Sequence, residues 1–242
     1  MKNISLLNIK KIAAAAALSA VMCAAFCEDS VLAKADSYRE YSPGGFSFDF
    51  SVTEQSSKSV MRVFLDAQSR DTSLVIYKEP KKYRRRVVLT IKNAFYVHDS
   101  GMSSAIRITP REMLFGQASA GDITRIAYSG MYSIESSEES DGVLVLHLKA
   151  EKDRGATYDY VDLSVEPETC RPVEAVCKGS GGVPIKVIAY TDFAHIGGKE
   201  LVTGLMITDS KSNKTSSVVL SGFSTETYPS SSFSVEEMKY VR

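Results

Sequence analysis

Tryptophan is absent from the 242 residues, histidine occurs three times and cysteine four. Beyond the first 27 residues, no apolar run approaches the ~18 residues needed to span a bilayer as a helix. Three histidines far apart in sequence (His98, His147, His195) provide no metal-ligand spacing. No G-x-S-x-G, H-E-x-x-H, C-x-x-C, phosphate-binding loop or dinucleotide fingerprint occurs, so the common hydrolase, metalloprotease, redox and nucleotide signatures do not apply. Net charge is also missing: 29 Lys+Arg balance 29 Asp+Glu. Hydrophobic residues at 44% and charged residues at 24% exclude a wholly disordered or collagen-like chain.

The neutral total hides an asymmetry. Residues 1–11 carry Lys2, Lys10 and Lys11 and no acid, and Ile12 to Phe26 is almost wholly apolar. That stretch spans roughly 22 Å as helix, short of the ~30 Å hydrocarbon core. A basic segment followed by such a run predicts a secretory signal peptide, residues 1–27, rather than a membrane anchor. Ala25-Phe26-Cys27 and Ala33-Lys34-Ala35 both offer small residues before a cut, and Cys23 or Cys27 could carry a lipid anchor. Removing residues 1–27 leaves 26 basic against 29 acidic residues, so the exported chain is mildly acidic and a nucleic-acid partner is not expected. Cys170 and Cys177 remain. The extended pattern of Pro172 to Val176 separates them by more than the ~7 Å a bridge tolerates, which predicts two free thiols.

From Phe46 onward, short apolar stretches alternate with turn residues. Phe46, Phe48 and Phe50 interleave with Ser47, Asp49 and Ser51, a period of two. Val60–Leu65, Leu74–Tyr77, Val87–Ile91, Ala94–Val97, Val143–Leu148, Tyr158–Val165, Val173–Cys177, Ile185–Tyr190, Leu201–Thr208 and Ser216–Phe223 follow, rich in Val, Ile, Tyr, Phe and Thr. Such spacing predicts one antiparallel sheet, curved or closed, rather than alternating βα units. Asp141-Gly142, Ser180-Gly181-Gly182 and Gly197-Gly198 predict hairpin turns, and Ser136 to Ser140 a polar hairpin tip. Thr109-Pro110-Arg111-Glu112 has the form of a capping box, predicting a short helix that carries Met113, Leu114 and Phe115 up to Gly116. Asp122 predicts the cap of a second, with Ile123 and Ile126 on one side.

Two features bear on function. Val143-Leu144-Val145-Leu146 and Val87-Val88-Leu89 are apolar on both faces, so the sheet must cover its apolar side. A packed core and a lipid-holding cavity both satisfy that demand. Lys81-Lys82-Tyr83-Arg84-Arg85-Arg86 puts five positive charges within six positions. Two accounts stand: charges guarding a sheet edge, or docking to anionic lipid heads or an acidic partner.

From Asp71 to Arg242 the chain resembles the outer-membrane lipoprotein-sorting proteins, the LolA-like periplasmic carriers. The resemblance lies in an ordered series: Tyr77 to Tyr83 leading into Arg86-Val87-Val88-Leu89, then Asn93-Ala94-Phe95-Tyr96-Val97, Arg107-Ile108-Thr109-Pro110, Gln117 to Ile123, Tyr160 to Val165, Pro172 to Ala175, Pro184 to Val187 and the closing Phe223 to Met238. It implies a curved, unclosed antiparallel β-barrel with short helices over its concave face. Residues 28–45 would form a short N-terminal segment and 46–242 a single LolA-like β domain. It further implies carriage of a lipid or lipoprotein acyl chains across the periplasm toward the outer membrane, between possible inner-membrane donor and outer-membrane acceptor proteins. No cofactor or metal ion is implied. Met113, Leu114, Phe115, Ile123, Ile126 and Phe95 would line or cover the cavity. The alternative is a lipid ester hydrolase using the same cavity, with His98 or His195 as base.

Overall fold

A computed structural model of the chain describes residues 30–69, 71–125 and 127–241. The expected signal peptide, Cys23, Cys27 and Ile126 lie outside them. The described residues open in helix α1 (described over 30–37) and then enter β1 (Phe46–Glu54), β2 (Ser57–Leu65), β3 (Thr72–Glu79), β4 (Val87–Ile91), β5 (Ala94–His98) and β6 (Ile106–Ile108). A small hairpin of β7 (Met113–Phe115) and β8 (Ala118–Ser119) precedes helix α2 (Ala120–Thr124). The remaining strands are β9 (Tyr132–Ser140), β10 (Val143–Ala150), β11 (Tyr160–Val165), β12 (Pro172–Lys178), β13 (Pro184–Ile196), β14 (Lys199–Asp209) and β15 (Thr215–Ser224).

Thirteen of these strands make one antiparallel sheet in the order β6-β5-β4-β3-β2-β1-β15-β14-β13-β12-β11-β10-β9. This corrects the expected curved barrel: the sheet is open, and none is closed or strongly curled. Closure would require the end strands to approach and pair. Here β6 stops after three residues, while Glu135, Glu138 and Glu139 make β9 a charged edge. A short edge and a charged one are two ways in which sheets avoid further pairing. Ser136 to Ser140 is therefore the outer half of an edge strand, and the turn is Asp141-Gly142 alone. Both of its residues have positive φ (51° and 79°), as a two-residue hairpin turn of the right twist requires.

Alternation sets the faces. Phe46, Phe48, Phe50 and Val52 of β1, Met61 and Val63 of β2, Leu146 and Leu148 of β10 and Val161 and Leu163 of β11 join the main core on one face. Asp49 on the other face stands opposite Arg62 and pairs with it at 3.3 Å. The doubly apolar β4 has a matching cause: Val88 enters the main core, while Val87 and Leu89 meet Leu74, Ile76, Phe233 and Met238 beneath the C-terminal segment. That segment is fastened by Ser230 Oγ to Asp66 (2.6 Å) and Thr227 Oγ1 to the Leu65 carbonyl (2.9 Å).

A second correction concerns the expected helix from Thr109. Met113 to Phe115 is strand β7, folded back on β8 through Gly116 at φ +53°. Only a few residues separate the apparent capping box from Gly116, too few to offset the cost of helix nucleation. Gln117 then anchors the hairpin, its N–H donating to Ser216 Oγ (2.9 Å) and its side chain to Glu54 (2.9 Å). No helix among the described residues is long and apolar enough to cross a membrane.

Candidate functional site

The main apolar face of the sheet is covered by α1, the β7–β8 hairpin and α2, and these elements are fastened differently. In α1, Leu32 and Ala35 are 2% exposed and belong to the main core. Asp36 follows them into the interior, where Oδ1 accepts the Tyr128 N–H (2.7 Å) and Oδ2 accepts the Ser129 N–H (2.8 Å) and hydroxyl. Burial nevertheless pushes the Asp36 carboxyl above the usual carboxylate range, outweighing the lowering effect of those bonds. Beyond it, the Val202 N–H donates to the Tyr38 carbonyl (2.8 Å), and Arg39 reaches the Asp122 carbonyl (3.4 Å).

The raised Asp36 carboxyl has a pH consequence. The folded state holds this proton more tightly than the unfolded chain, so the group's contribution to stability is fully present below its unfolded pKa, near 3.8, and is lost as pH rises through the higher folded value. Urea midpoints taken between about pH 3 and pH 7 should show the parent losing stability relative to Asp36→Asn as pH rises through that window. A difference that is flat or of opposite slope would show that Asp36 does not titrate this way.

Helix α2 is held from within. Ser119 caps it, and Asp122 accepts from the Ser119 N–H and hydroxyl, both at 2.8 Å, a reciprocal capping box. Asp122 therefore sits inside the first turn and is not the cap that its position suggested. The same carboxylate takes the Lys186 ammonium on Oδ2 (2.5 Å) and the Tyr158 hydroxyl on Oδ1 (2.8 Å). Lys186 and Asp122 side chains are 4% and 2% exposed, so this is a fully buried ion pair. Burial and the Asp122 charge together push the Tyr158 phenol far up, keeping it a donor. Arg125, at the end of α2, ties to the Asp71 and Lys92 carbonyls and lies 5.2 Å above the Phe95 ring.

Beneath this cover lie Met131, Tyr132, Cys177, Ile188, Leu205 and Ile207, with Tyr128 and Tyr190 joined hydroxyl to hydroxyl at 2.8 Å. The enclosed space is about 30 Å³, room for a water but not for an acyl chain. A second recess of similar size runs beside Asp36 to Phe46 and Leu65. The second recess borders α1 at Asp36, and the first reaches Arg39 just beyond the helix.

The expected lining residues are divided among different places. Ile123 is fully buried in the main core, Leu114 and Phe115 are half-buried against it, and Met113 on the hairpin is 44% exposed. Phe95 is buried at 1% but stacks under Arg125. Neither His98 nor His195 has a carboxylate partner among the described residues. His147 does, at 2.9 Å from Asp162, but it points away from the main core. Cys170 and Cys177 are both buried free thiols, as the spacing predicts. Asp36, Lys186 and the tyrosine cluster escaped notice in the sequence. A signal did exist for Lys186: it shares the parity of Ile188 and Tyr190 in β13, which places a lysine on the inward face.

A family model described as an uncharacterized protein matches residues 69–240, and the chain belongs to that family. No curated protein matches the sequence significantly. Among solved structures, a LolA superfamily protein from Nitrosomonas europaea is similar, with TM-score 0.75 and 25% identity over 86% of this chain and 97% of that one. A DUF1329 family protein from Desulfovibrio piger shares the fold, with TM-score 0.69 and 13% identity over 88% and 98%. The resemblance to LolA-like proteins seen in the sequence is thus borne out by the fold.

Proposed function

We propose that this family member carries a lipid, or the acyl chains of a lipoprotein, through the periplasm, holding the chains against the apolar face of the sheet beneath α1. One observation supports this reading most: an extended apolar face covered in part by a helix that Leu32, Ala35 and the Asp36 carboxylate hold down, with no buried ion pair of its own among the described residues. Displacing α2 would break a buried ion pair, whereas displacing α1 uncovers Leu32 and Ala35 and breaks the bonds to Asp36. The gain from burying an acyl chain is roughly 0.8 kcal/mol per CH₂, or about 12 kcal/mol for sixteen carbons. Exposing a leucine costs about 2–3 kcal/mol, and each hydrogen bond to a charged group about 1.5–3 kcal/mol. A long chain therefore offsets the displacement of α1. With only about 30 Å³ enclosed, loading requires that displacement, and release reverses it. A donor at the inner membrane and an acceptor at the outer membrane are the partners such a route needs.

The test is detergent-free purification from the cell envelope followed by mass spectrometry of the organic extract. Acyl lipid at near-stoichiometric ratio is expected. An extract matching that of an unrelated envelope protein prepared in parallel would remove the reading.

A further inference from the structure

The basic run beside β4 does not guard a sheet edge. It connects β3 to β4, both interior strands, while the edges are β6 and β9. Its charges therefore need another account, and the geometry of the turn supplies one. Lys81 to Tyr83 forms a single tight 3-10 turn, closed by Tyr83 N–H to the Pro80 carbonyl (2.9 Å) and Arg86 N–H to the Tyr83 carbonyl (2.8 Å). Tyr83 packs edge-on against Tyr77 at 5.9 Å, with the Arg86 guanidinium 4.3 Å from its ring. Arg86 is in turn paired with Asp99 at 3.0 Å. Tyr83 and Arg86 thus act as the root of the turn, and Lys81, Lys82, Arg84 and Arg85 are presented outward, all exposed. Among the described residues none of the four is paired with a carboxylate, and Glu79 is the only acid between Lys78 and Arg86.

The surface extends beyond the turn. Arg84, Arg85, His98, Ser100 and Lys239 border one open depression of about 430 Å³. Beside Lys239 stands Tyr240, 64% exposed, with the Lys239 ammonium 4.8 Å from its ring. A tight turn of cations without a carboxylate partner among the described residues, next to an exposed tyrosine, matches an anionic headgroup layer: cations meet phosphates, and the phenol sits at the interface between headgroup and acyl chain.

We infer that the Lys81–Arg85 turn, with Lys239 and Tyr240, docks this protein onto anionic phospholipid surfaces. The inference deepens the carrier reading by placing the protein where cargo is collected, and it rests on that reading for its purpose though not for its physics. Each basic side chain brought to an anionic surface contributes about a factor of five in affinity.

The experiment is co-sedimentation of the exported chain with vesicles of about one-third phosphatidylglycerol in phosphatidylcholine, beside phosphatidylcholine alone. Binding to the anionic vesicles only is expected, and it should fall steeply as salt rises from about 50 mM to about 0.5 M. Lys81→Ser with Arg85→Ser should weaken it about 25-fold, and adding Lys82→Ser and Arg84→Ser should abolish it. Lys211→Ser with Lys214→Ser, at the exposed β14–β15 turn, should leave it within about twofold. Urea midpoints close to the parent's identify the folded variants, and the double variant serves if the quadruple one fails to fold. Absence of parent binding, equal loss in the Lys211/Lys214 control, or capture of an acidic protein without vesicle binding would overturn the inference. Vesicle docking without acyl lipid in the extract would instead leave docking standing and remove carriage.

Discussion

Lys186→Met is expected to lower the free energy of unfolding by about 3–5 kcal/mol. The side chain fits the volume, so the loss comes from charge. Asp122 would keep its place in the first turn of α2, its Ser119 bonds and the Tyr158 hydroxyl, but its carboxylate would remain a buried anion without its ion-pair partner, since Arg39 reaches only the Asp122 backbone carbonyl. Removing one partner of a buried pair costs far more than the pair contributes, because the orphaned charge has already been taken out of water. Lys186→Met combined with Asp122→Asn leaves neutral groups on both sides and should recover much of the loss. Urea unfolding of the parent, both single variants and the double variant forms a thermodynamic cycle with a large coupling energy. Near-additive effects would show that α2 is held by its capping box alone.

Much of the fold could be read from the sequence because strand signals are local. The Phe46-x-Phe48-x-Phe50 alternation, the doubly apolar Val87-Val88-Leu89 and the glycine turns each fix a strand or its end through neighbours alone, and each is found in the structure. Closure is different in kind. Whether β6 and β9 meet depends on the accumulated twist and tilt of thirteen strands, which no short window contains, and the expected barrel proved to be an open sheet. The Thr109-Pro110-Arg111-Glu112 box misled for the opposite reason. A helix start was visible, but the nearness of Gly116 and the pull of Ser216 and Glu54 on Gln117, both distant in sequence, decided for a hairpin.

The candidate site was less legible, since it depends on pairings between segments far apart. Asp36 meets Tyr128 and Ser129 some ninety residues away, and Asp122 meets Lys186 from α2 to β13. Ile123, expected to line or cover a cavity, sits fully buried in the packed core. The basic turn was plain in the sequence. Its placement between interior strands was not, and that placement distinguishes a docking surface from a guarded edge.

The central claim is that α1 is a displaceable cover over an apolar binding face, and Asp36→Ala addresses it directly. The substitution removes the acceptor for two backbone N–H groups and a hydroxyl while leaving Leu32, Ala35 and the face beneath them unchanged. If binding waits on the uncovered form, apparent affinity scales with the population of that form. Loss of about 2–3 kcal/mol of latch interaction should then raise affinity roughly 30- to 150-fold. The measurement is titration of a fluorescent fatty acid against parent and Asp36→Ala protein at neutral pH, with urea midpoints recorded on the same preparations. The account predicts saturable binding by both, tighter in the variant even though its midpoint is lower. A folded parent that binds no probe, or a variant that loses stability and gains no affinity, would show that α1 is simply part of a closed core.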